Sequence, residues 1–503
     1  MNLTSNDAVL VVGAGIMGAG IAQVAAQAGH RVFLFDLREG AAAGARTRLG
    51  ATLETLVTKG RLDADTASAA LQRIVAIDRL TDAASARIVV EAIVENLDAK
   101  RSLFRELEGL LATDAILATN TSSISITAIA NGLKQPGRLV GMHFFNPVAL
   151  MKLVEVVRGL QTEPGVAETV EALARSWGKA AVAARSTPGF IVNRIARPYY
   201  AETLALLQEQ AASPAVLDAC LKAAGFRMGP CELMDLIGHD TNLAVTRSVY
   251  EANFLDKRFV PSVLQQEMVD GGLLGRKSGQ GFYRYPEGMP ALPVAVHPAP
   301  STARVVVVHG SGPQADHLER QAAAALAPQG WGPARERDSP WTGLAVDGAR
   351  LVMTDGRTAR EGSTAFDSRD IAVFDRFVPD PVPMGSALAY AMSPSASPAW
   401  REQAPAWLAA LGFSPLPVAD APGLVVARTL AMLINEAADA VLQGVCTPEG
   451  ADAAMKLGVN YPAGPFDWLR GWTVTGVTAV LRALDATYRG ERYRVSPWLQ
   501  RQA

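Results

Sequence analysis

The chain has 503 residues, of which 49% are hydrophobic and 19% are charged, and this composition excludes an intrinsically disordered protein. Because a single hydrophobic core stops growing at about 250–300 residues, at least two domains are expected. The formal net charge of -2 leaves no broad basic surface, so we expect neither a nucleic acid nor a membrane as a partner. The three cysteines form no CxxC pair, which predicts free thiols, a cytoplasmic location and no metal site.

The first predicted elements are a strand, a tight turn, a helix and a second strand. Residues 8–12 form an apolar run, the string GAGIMG follows at once, and an alanine-rich helix over 19–27 leads to a strand over 31–36. This region lacks a basic leading segment, and polar residues interrupt it before the roughly 20 residues that a bilayer requires. We therefore expect neither a signal peptide nor a membrane anchor.

The spacing of the glycines in this turn predicts a dinucleotide site. Gly13 allows the sharp turn, Gly15 lets a pyrophosphate approach the backbone, and Gly18 lets helix and strand pack closely. The start of the helix supplies N–H groups and partial positive charge to the phosphates. Asp36 is placed to bind the ribose hydroxyls and repels a 2′-phosphate, which favours NAD over NADP, although Arg38 leaves the strictness of that preference open. The alternative is a glycine-rich turn that binds no ligand.

Later elements extend this pattern to a doubly wound α/β domain. The charged segment over 41–76 is predicted to form a projecting helical hairpin. After Ser186 the chain is predicted to be mainly helical to about residue 274, and a segment rich in proline and alanine over 288–302 is predicted to be a linker. Further strands are predicted at three places, over 87–92, 115–120 and 138–143.

The C-terminal half contains an internal repeat. The string PGFIVNR at 188–194 is echoed by PGLVVAR at 422–428, and Glu202 matches Glu436. The segment between the two helical copies contains strand-like runs and an HGSGP turn that lacks the third glycine and has a proline where a helix would begin. We interpret this segment as a degenerate nucleotide-binding-like module.

Four motifs in the first half resemble those of the 3-hydroxyacyl-CoA dehydrogenase family. They are VEAIVEN at 90–96, NTSS at 120–123, HFFNP at 143–147 and PGFIVNR at 188–194. The length and the repeated C-terminal half are similar to the longer bacterial members of phenylacetate breakdown, the 3-hydroxyadipyl-CoA and 3-hydroxybutyryl-CoA dehydrogenases. The resemblance implies a Rossmann-type NAD domain and the oxidation of (3S)-3-hydroxyacyl-CoA to 3-oxoacyl-CoA with NAD+.

The chemistry of these motifs agrees with that reaction. Oxidation of a secondary alcohol requires a base for the hydroxyl proton, and His143 follows a predicted strand at the carboxyl edge of the sheet, where ligands bind. Glu155 lies on the next strand-like run, over 152–157, and a strand–turn–strand arrangement returns its carboxylate beside the imidazole. The alternatives are a structural histidine and a solvated strand-edge carboxylate.

Two further side chains are candidates for contacting the substrate oxygen. Ser122 follows a strand at the same sheet edge, and its hydroxyl either donates to the substrate or caps the next helix, a role that Ser123 could take instead. Asn193 lies at the start of the second domain, and its amide can donate to the C3 oxygen as charge develops there. The repeat has Ala427 at the equivalent position and no apparent equivalent of His143, so no dehydrogenase chemistry is expected in the second half.

The resemblance also implies which residues contact the ligands without taking part in the reaction. Thr52 and Lys59 on the helical hairpin fall where the family meets coenzyme A, with an ordinary solvated helix charge as the alternative for Lys59. Further NAD contacts are implied for Ile16, Met17, Glu95, Lys100, Asn120, Ser122, Asn146 and Lys277.

The sequence thus predicts an NAD-binding domain at 1–185, a helical domain at 186–286, a linker with the degenerate module at 287–419, and a second helical copy at 420–503. An acyl-CoA substrate is expected. A homodimer is also expected, because the resemblance implies that helical domains pair with each other to form dimers. The internal repeat could reproduce that pairing within one chain, and it could also add surface for a further homodimer. The alternatives are another NAD-dependent β-hydroxyacid dehydrogenase and a non-catalytic nucleotide-binding homologue.

Overall fold

The computed structural model describes residues 3–292, 297, 300, 303–378 and 381–502. The chain forms two compact units. The first unit contains the residues up to Arg194 together with Ala440–Asn460, and the second unit contains Ile195–Asp439 and the residues from Tyr461 onward. No helix within the described ranges is long and apolar enough to cross a membrane.

The first unit is built on an eight-stranded sheet with the order β3-β2-β1-β4-β5-β6-β7-β8. The first six strands along the chain are parallel, β7 runs antiparallel to β6, and β8 runs parallel to β7. This order confirms the doubly wound α/β fold. The strands are β1 Val9–Val12, β2 Val32–Phe35, β3 Ile74–Ile77, β4 Ile88–Glu91, β5 Ile116–Thr119, β6 Leu139–Phe144, β7 Leu153–Arg158 and β8 Ala180–Arg185.

Helices cover this sheet because its central strands are apolar on both faces. All four residues of β1 are buried, as are those of β4 and β5. The helices preceding residue 186 are α1 Ile16–Gln27, α2 Ala41–Thr58, α3 Ala64–Arg73, α4 Leu97–Leu110, α5 Ile126–Ala130 and α6 Pro164–Ser176.

The predicted helical hairpin over 41–76 is corrected in two respects. Its last residues are not helical, because they form β3 at the edge of the sheet. It also does not simply project, since α2 and α3 pack against α1 and β3 and contribute Ala45, Leu49 and Ala70 to the main core. The alanine-rich faces of both helices account for this close packing.

The segment after residue 186 is helical, as predicted. Its helices are α7 Val192–Ile195, α8 Arg197–Gln208, α9 Pro214–Ala223, α10 Pro230–Ile237, α11 His239–Ala252 and α12 Val263–Asp270. Part of the predicted linker over 288–302 lies outside the described residues.

The degenerate module forms a second sheet with the order β10-β9-β11-β12-β13-β14-β15. The helix after the first turn begins at Pro313, because proline fits the first position of a helix. The strands are β9 Val306–His309, β10 Ala334–Glu336, β11 Gly343–Val346, β12 Ala349–Met353, β13 Ile371–Phe374, β14 Ser386–Met392 and β15 Phe413–Pro417. The helices of the module are α13 Pro313–Leu326, α14 Ala359–Ala365 and α15 Pro398–Ala410.

The second helical copy contributes to both units. Helix α17 packs on β7 and β8, so residues 440–460 belong to the first unit although the repeat assigns them to the second copy. The domain boundaries proposed from the sequence therefore stay a prediction. The helices of this copy are α16 Val426–Leu442, α17 Pro448–Val459, α18 Pro465–Trp472, α19 Val474–Tyr488 and α20 Pro497–Gln500.

Buried ion pairs join the two helical copies within the second unit. Glu202 of the first copy accepts hydrogen bonds from Arg428 at 2.8 Å and from Arg492 at 2.8 Å. With the charges exchanged between the copies, Arg258 of the first copy forms ion pairs with Glu436 and Asp439 of the second. Pairing of the helical domains within one chain, one of the two predicted arrangements, is therefore present.

Glu202→Gln should lower the free energy of unfolding by on the order of 3 kcal/mol, because it removes the charge from a buried ion-pair cluster. Burial alone raises the pKa of Glu202, but Arg492 and Arg428 outweigh burial and hold the pKa below its usual 4.5. The difference from the wild type should therefore be full above that pH and shrink as the pH falls below it. Denaturant unfolding at several pH values measures this. Glu171→Gln is the control, since it breaks only the exposed pair with Arg175, and an equal loss there would contradict the prediction.

Candidate active site

The turn between β1 and α1 has the geometry that a dinucleotide requires. Gly13 has φ of +104°, a conformation that glycine adopts without strain. A Cβ at Gly18 would overlap the carbonyl oxygen of Gly13, so helix and strand approach as closely as the sequence predicts. An added Cβ at Gly15 would meet no protein atom within 4 Å, so the backbone there faces open space.

The start of α1 can bind an anion. Its N-cap is Gly15, which has no side chain to satisfy the first N–H groups of the helix. Those N–H groups and the partial positive charge of the helix therefore face outward beside Ile16, which is 78% exposed, and Met17, which is half-buried. Residues 13–18 fit a dinucleotide pyrophosphate.

Asp36 follows β2 and is held against the glycine turn. Its Oδ2 accepts a hydrogen bond from the Ala14 N–H at 2.8 Å, and its Oδ1 forms an ion pair with Arg38 Nε at 3.0 Å. The hydrogen bond from Arg38 is the main reason why the pKa of Asp36 falls to about 2, against the opposing effect of burial. The carboxylate therefore stays charged at neutral pH, where it can accept from ribose hydroxyls and repel a 2′-phosphate.

His143 and Glu155 form a hydrogen-bonded pair, as the sequence predicts. The two residues face each other across the antiparallel strands β6 and β7, and His143 Nδ1 lies 2.5 Å from Glu155 Oε2. Both side chains are buried, with 7% of the imidazole and none of the carboxylate exposed. Because an ionised carboxylate only accepts hydrogen bonds, Nδ1 carries the proton and Nε2 is the basic nitrogen.

The second oxygen of Glu155 binds the start of α7. Oε1 accepts hydrogen bonds from the Ile191 and Val192 N–H groups, both at 3.0 Å. One carboxylate thus holds both the imidazole and the backbone that leads to Asn193. The rings of Phe145 and Phe190 lie 4.6 and 5.8 Å from the imidazole and limit its movement.

Glu95 positions the loop that carries Ser122. Its Oε1 accepts hydrogen bonds from Thr121 Oγ1 at 2.6 Å, from the Ser122 N–H at 3.0 Å and from Ser123 Oγ at 3.0 Å. Ser123 is not the cap of the next helix, because Ser125 occupies that position and accepts from the Ala128 N–H. The prediction that Ser123 caps this helix was therefore wrong, and Ser122 does not cap it either.

Lys100 is buried rather than open to a ligand. Its Nζ donates to Glu91 Oε1 at 2.6 Å and lies 3.3 Å from Glu95 Oε2, with 1% of the side chain exposed. Glu91 is held in turn by Thr119 Oγ1 at 2.6 Å. The structure thus gives Lys100 a positioning role behind the Ser122 loop, and direct contact with NAD stays a prediction.

The remaining predicted residues occupy separate positions. Asn120 Oδ1 accepts from the Phe144 N–H at 2.9 Å, so this side chain joins the ends of β5 and β6. Asn146 is exposed after β6, and Asn193 is half-buried in α7. Lys277 lies in the second unit and pairs with Asp240.

The two residues proposed to meet coenzyme A lie on the exposed face of α2. The Thr52 hydroxyl donates to the Arg48 carbonyl one turn earlier, and Lys59 is exposed at the end of the helix. Contact of both side chains with coenzyme A stays a prediction.

Sequence analysis missed several residues around the site. Leu37 and Val94 are 92% and 69% exposed, and both follow strands at the nucleotide edge of the sheet, where an apolar side chain after a strand is the available signal. Cys446 of the second helical copy lies in the first unit. Burial, and then the charge of Glu155, raises the pKa of its thiol to about 12. No local pattern could place residue 446 there.

The second unit has a chemically altered counterpart of the His143 centre. Strands β13 and β14 are antiparallel, like β6 and β7, and the Asp375 N–H donates to the Ala389 carbonyl at 2.9 Å. Asp375 and Ala389 stand at the positions that His143 and Glu155 occupy in the first sheet. The Asp375 carboxylate accepts from the N–H groups of Val425, Val426 and Ala427, which match 191–193. This centre therefore lacks the imidazole and the amide, as the sequence suggests.

Comparison with known families accounts for most of the chain. The family model described as 3-hydroxyacyl-CoA dehydrogenase, NAD binding domain, matches residues 8–187, and the model of the C-terminal domain of the same family matches 189–285 and again 423–503. The double match confirms the internal repeat. A model described as 3-hydroxybutyryl-CoA dehydrogenase reduced Rossmann-fold domain matches residues 351–422.

Individual relatives agree with these matches. A 3-hydroxyadipyl-CoA dehydrogenase of Escherichia coli K12 is 41% identical over 500 residues, which are 98% of this chain and 97% of that protein. A probable 3-hydroxybutyryl-CoA dehydrogenase of Deinococcus radiodurans is 43% identical over 55% of this chain and 99% of its own length. The crystal structure of 3-hydroxybutyryl-CoA dehydrogenase from Escherichia coli K12 superposes with a TM-score of 0.88 at 38% identity, covering 99% of this chain and 98% of that one.

Asp36→Ser should reduce the preference for NAD+ over NADP+ by roughly tenfold or more, since it removes the repelling charge and releases Arg38 for a 2′-phosphate. Dissociation constants of NADH and NADPH, measured by fluorescence titration, test this. Because the pKa of Asp36 is about 2, its carboxylate stays charged between about pH 5 and pH 9. A change in the wild-type preference within that range should therefore follow only the second ionisation of the 2′-phosphate, at about pH 6. Glu39→Gln, in the same exposed loop, is the matched control, and an unaltered preference in Asp36→Ser would contradict the assignment.

Proposed function

Since the chain belongs to the 3-hydroxyacyl-CoA dehydrogenase family, we propose that it oxidises the C3 hydroxyl of a (3S)-3-hydroxyacyl-CoA with NAD+, giving the 3-oxoacyl-CoA, NADH and a proton. The observation that carries this proposal is the 2.5 Å contact between His143 Nδ1 and Glu155 Oε2. It leaves a basic imidazole nitrogen at the carboxyl edge of the sheet, where a bound hydroxyl can be deprotonated.

The His143–Glu155 pair takes up the proton that the C3 hydroxyl releases. Nε2 accepts the proton of the C3 hydroxyl as the carbon–oxygen double bond forms, so the imidazole becomes positively charged. Glu155 stabilises that charge and fixes the ring, while the Ile191 and Val192 N–H groups share its negative charge. In the reverse direction the imidazolium returns the proton to the oxygen.

The NAD nicotinamide, when bound, supplies the acceptor for the hydride that leaves C3. Gly13, Gly15, Gly18 and the first N–H groups of α1 hold the pyrophosphate, and Asp36 holds the ribose. Glu95 and Lys100 secure the loop beside them rather than adding to the pyrophosphate contacts.

Ser122 and Asn193 position the substrate oxygen. Glu95 binds both the backbone N–H of Ser122 at 3.0 Å and its hydroxyl at 3.4 Å. The hydroxyl would exchange this long contact for a hydrogen bond to the C3 oxygen when substrate binds. Asn193 follows the two residues that Glu155 anchors, so its amide is tied to the same carboxylate that orients the base. Together the two donors stabilise negative charge that develops on the oxygen. Lys59 and Thr52 are proposed to contact the coenzyme A moiety.

For the acyl chain we favour 3-hydroxyadipyl, with 3-hydroxybutyryl as the second candidate. A relative that is similar over nearly the whole chain is named for the first substrate, and a structure with a TM-score of 0.88 is named for the second. Steady-state kinetics with both 3-hydroxyacyl-CoA substrates, followed by NADH absorbance, decide between them through kcat/KM. A free 3-hydroxyacid used as well as its CoA ester would favour another β-hydroxyacid dehydrogenase, and no NADH with any of them would favour a non-catalytic homologue.

The homodimer is likewise part of the proposal. Because the two helical copies already pair within the second unit, a homodimer would have to use a surface other than the one formed by Glu202, Arg428 and Arg492. Light scattering coupled to size exclusion measures the mass in solution, and a mass of one chain would overturn the homodimer.

His143→Gln should abolish turnover and leave NADH binding intact, because the base is lost while the nucleotide turn is unchanged. The expected fall in kcat is roughly a hundredfold or more. His309→Gln is the matched control. His309 lies on β9 of the other sheet, and its ring stacks on Trp341 at a ring-centroid distance of 4.2 Å. Undiminished kcat in His143→Gln would refute the base.

Glu155→Gln should lower kcat strongly with little change in the dissociation constant of NADH. An amide N–H placed against Nδ1 would favour the tautomer with the proton on Nε2, which cannot accept the substrate proton. Single-turnover kinetics with NADH fluorescence separate the chemical step from cofactor binding. If kcat stayed at the wild-type value, Glu155 would have no part in the mechanism.

A further inference from the structure

A short segment of the second helical copy is bonded to both ends of the stretch that leads to Asn193. The Val445 carbonyl accepts from the Arg185 N–H at 2.9 Å, at the end of β8. At the other end of the stretch, Gln443 Oε1 accepts from Arg194 Nη1 at 2.8 Å. Residues 443–445 therefore connect the last residue of β8 to the residue after Asn193, and all of them belong to the first unit.

The connected stretch is the one that binds the catalytic carboxylate. Between Arg185 and Arg194 lie the N–H groups of Ile191 and Val192, which both donate to Glu155 Oε1. Arg194 lies in α7 directly after Asn193 and is 2% exposed, so its guanidinium is packed inside the protein. A contact with this guanidinium is thus also a restraint on Glu155 and Asn193.

Helix α17, just after the segment, supports the same strands from behind. A Cβ at Gly458 would overlap Leu153 on β7 and press on Val192, and one at Gly450 would press on Val182 of β8. The second helical copy therefore packs directly against the strand that carries Glu155. Helix α17 is therefore closely packed against β7 and β8, without room for larger side chains at these glycines.

The second unit contains the counterpart of this arrangement at a centre without the reacting groups. Arg428, the match of Arg194, pairs with Glu209, the match of Gln443, at 3.0 and 3.1 Å. Helix α9, the match of α17, packs on β14. Because Ala427 and Asp375 stand where Asn193 and His143 would be, this counterpart has only a structural role and serves as an internal control.

We propose that Gln443 is a positioning residue for the dehydrogenase reaction, holding Arg194 and thereby fixing Asn193 and the start of α7 against Glu155. The inference rests on the proposed function and gives the second helical copy a part in it. The copy contributes no reacting group, and its role is to hold the catalytic stretch of the first unit in a single geometry.

Gln443→Ala should lower kcat by roughly tenfold, because small displacements of an oriented group are costly to the chemical step. KM for NAD+ and the dissociation constant of NADH should stay at wild-type values, since the nucleotide turn is not involved. Gln443→Glu should restore kcat, because a carboxylate at the matching position, Glu209, already pairs with its arginine. A purely structural loss would lower the melting temperature without this split between kcat and KM.

The matched control is Glu209→Ala, which breaks the same contact at the centre without chemistry. It should lower the melting temperature and leave kcat unchanged. Glu209→Asp, whose carboxylate is one methylene shorter and cannot keep both contacts with Arg428, replaces it if the alanine variant does not fold.

Four results are informative. Reduced kcat in Gln443→Ala with rescue by glutamate supports the inference, and wild-type kcat in Gln443→Ala overturns it. Equal loss of kcat in Glu209→Ala also overturns it, because the effect would then be general destabilisation. A wild-type chain that forms no NADH with any 3-hydroxyacyl-CoA overturns the proposed function, and the inference with it.

Discussion

The active site depends on one buried carboxylate whose two oxygens bind different parts of the first unit. Glu155 gives one oxygen to the imidazole of His143 and the other to two N–H groups at the start of α7. Burying a carboxylate is costly unless it is fully hydrogen-bonded, and this one is satisfied only while strand, imidazole and helix start all keep their places. Proton chemistry and local folding are therefore coupled through a single side chain.

The counterpart in the second sheet separates the two roles of that carboxylate. Asp375 still binds the N–H groups at the start of the second copy, although Ala389 and Ala427 have replaced the other polar groups. The first N–H groups of any helix have no partner within that helix. The fold thus requires a hydrogen-bond acceptor at this helix start, whether or not catalysis takes place there. Catalysis in the first sheet is an addition to that structural requirement, made by placing a histidine within reach of the acceptor.

Much of the fold and of the site could be predicted because it rests on local patterns. The glycine turn, Asp36 and the facing positions of His143 and Glu155 follow from strand periodicity and from short connections. Three features could not be predicted: the buried Glu91–Lys100 pair, the Ser125 cap and the position of residues 440–460 in the first unit. Each depends on which of several equally suitable neighbours is close in space, and for residues 440–460 that neighbour lies about half the chain away.

The presence of both helical copies on one chain has an evolutionary consequence. In a symmetric dimer of identical subunits, every substitution at the interface occurs twice, so an improvement at one centre is also imposed on the other. Here the gene encodes each side separately, and the two sides have diverged, with Gln443 opposite one arginine and Glu209 opposite the other. With both copies on one chain, one half can change as a scaffold while the other keeps the reacting groups.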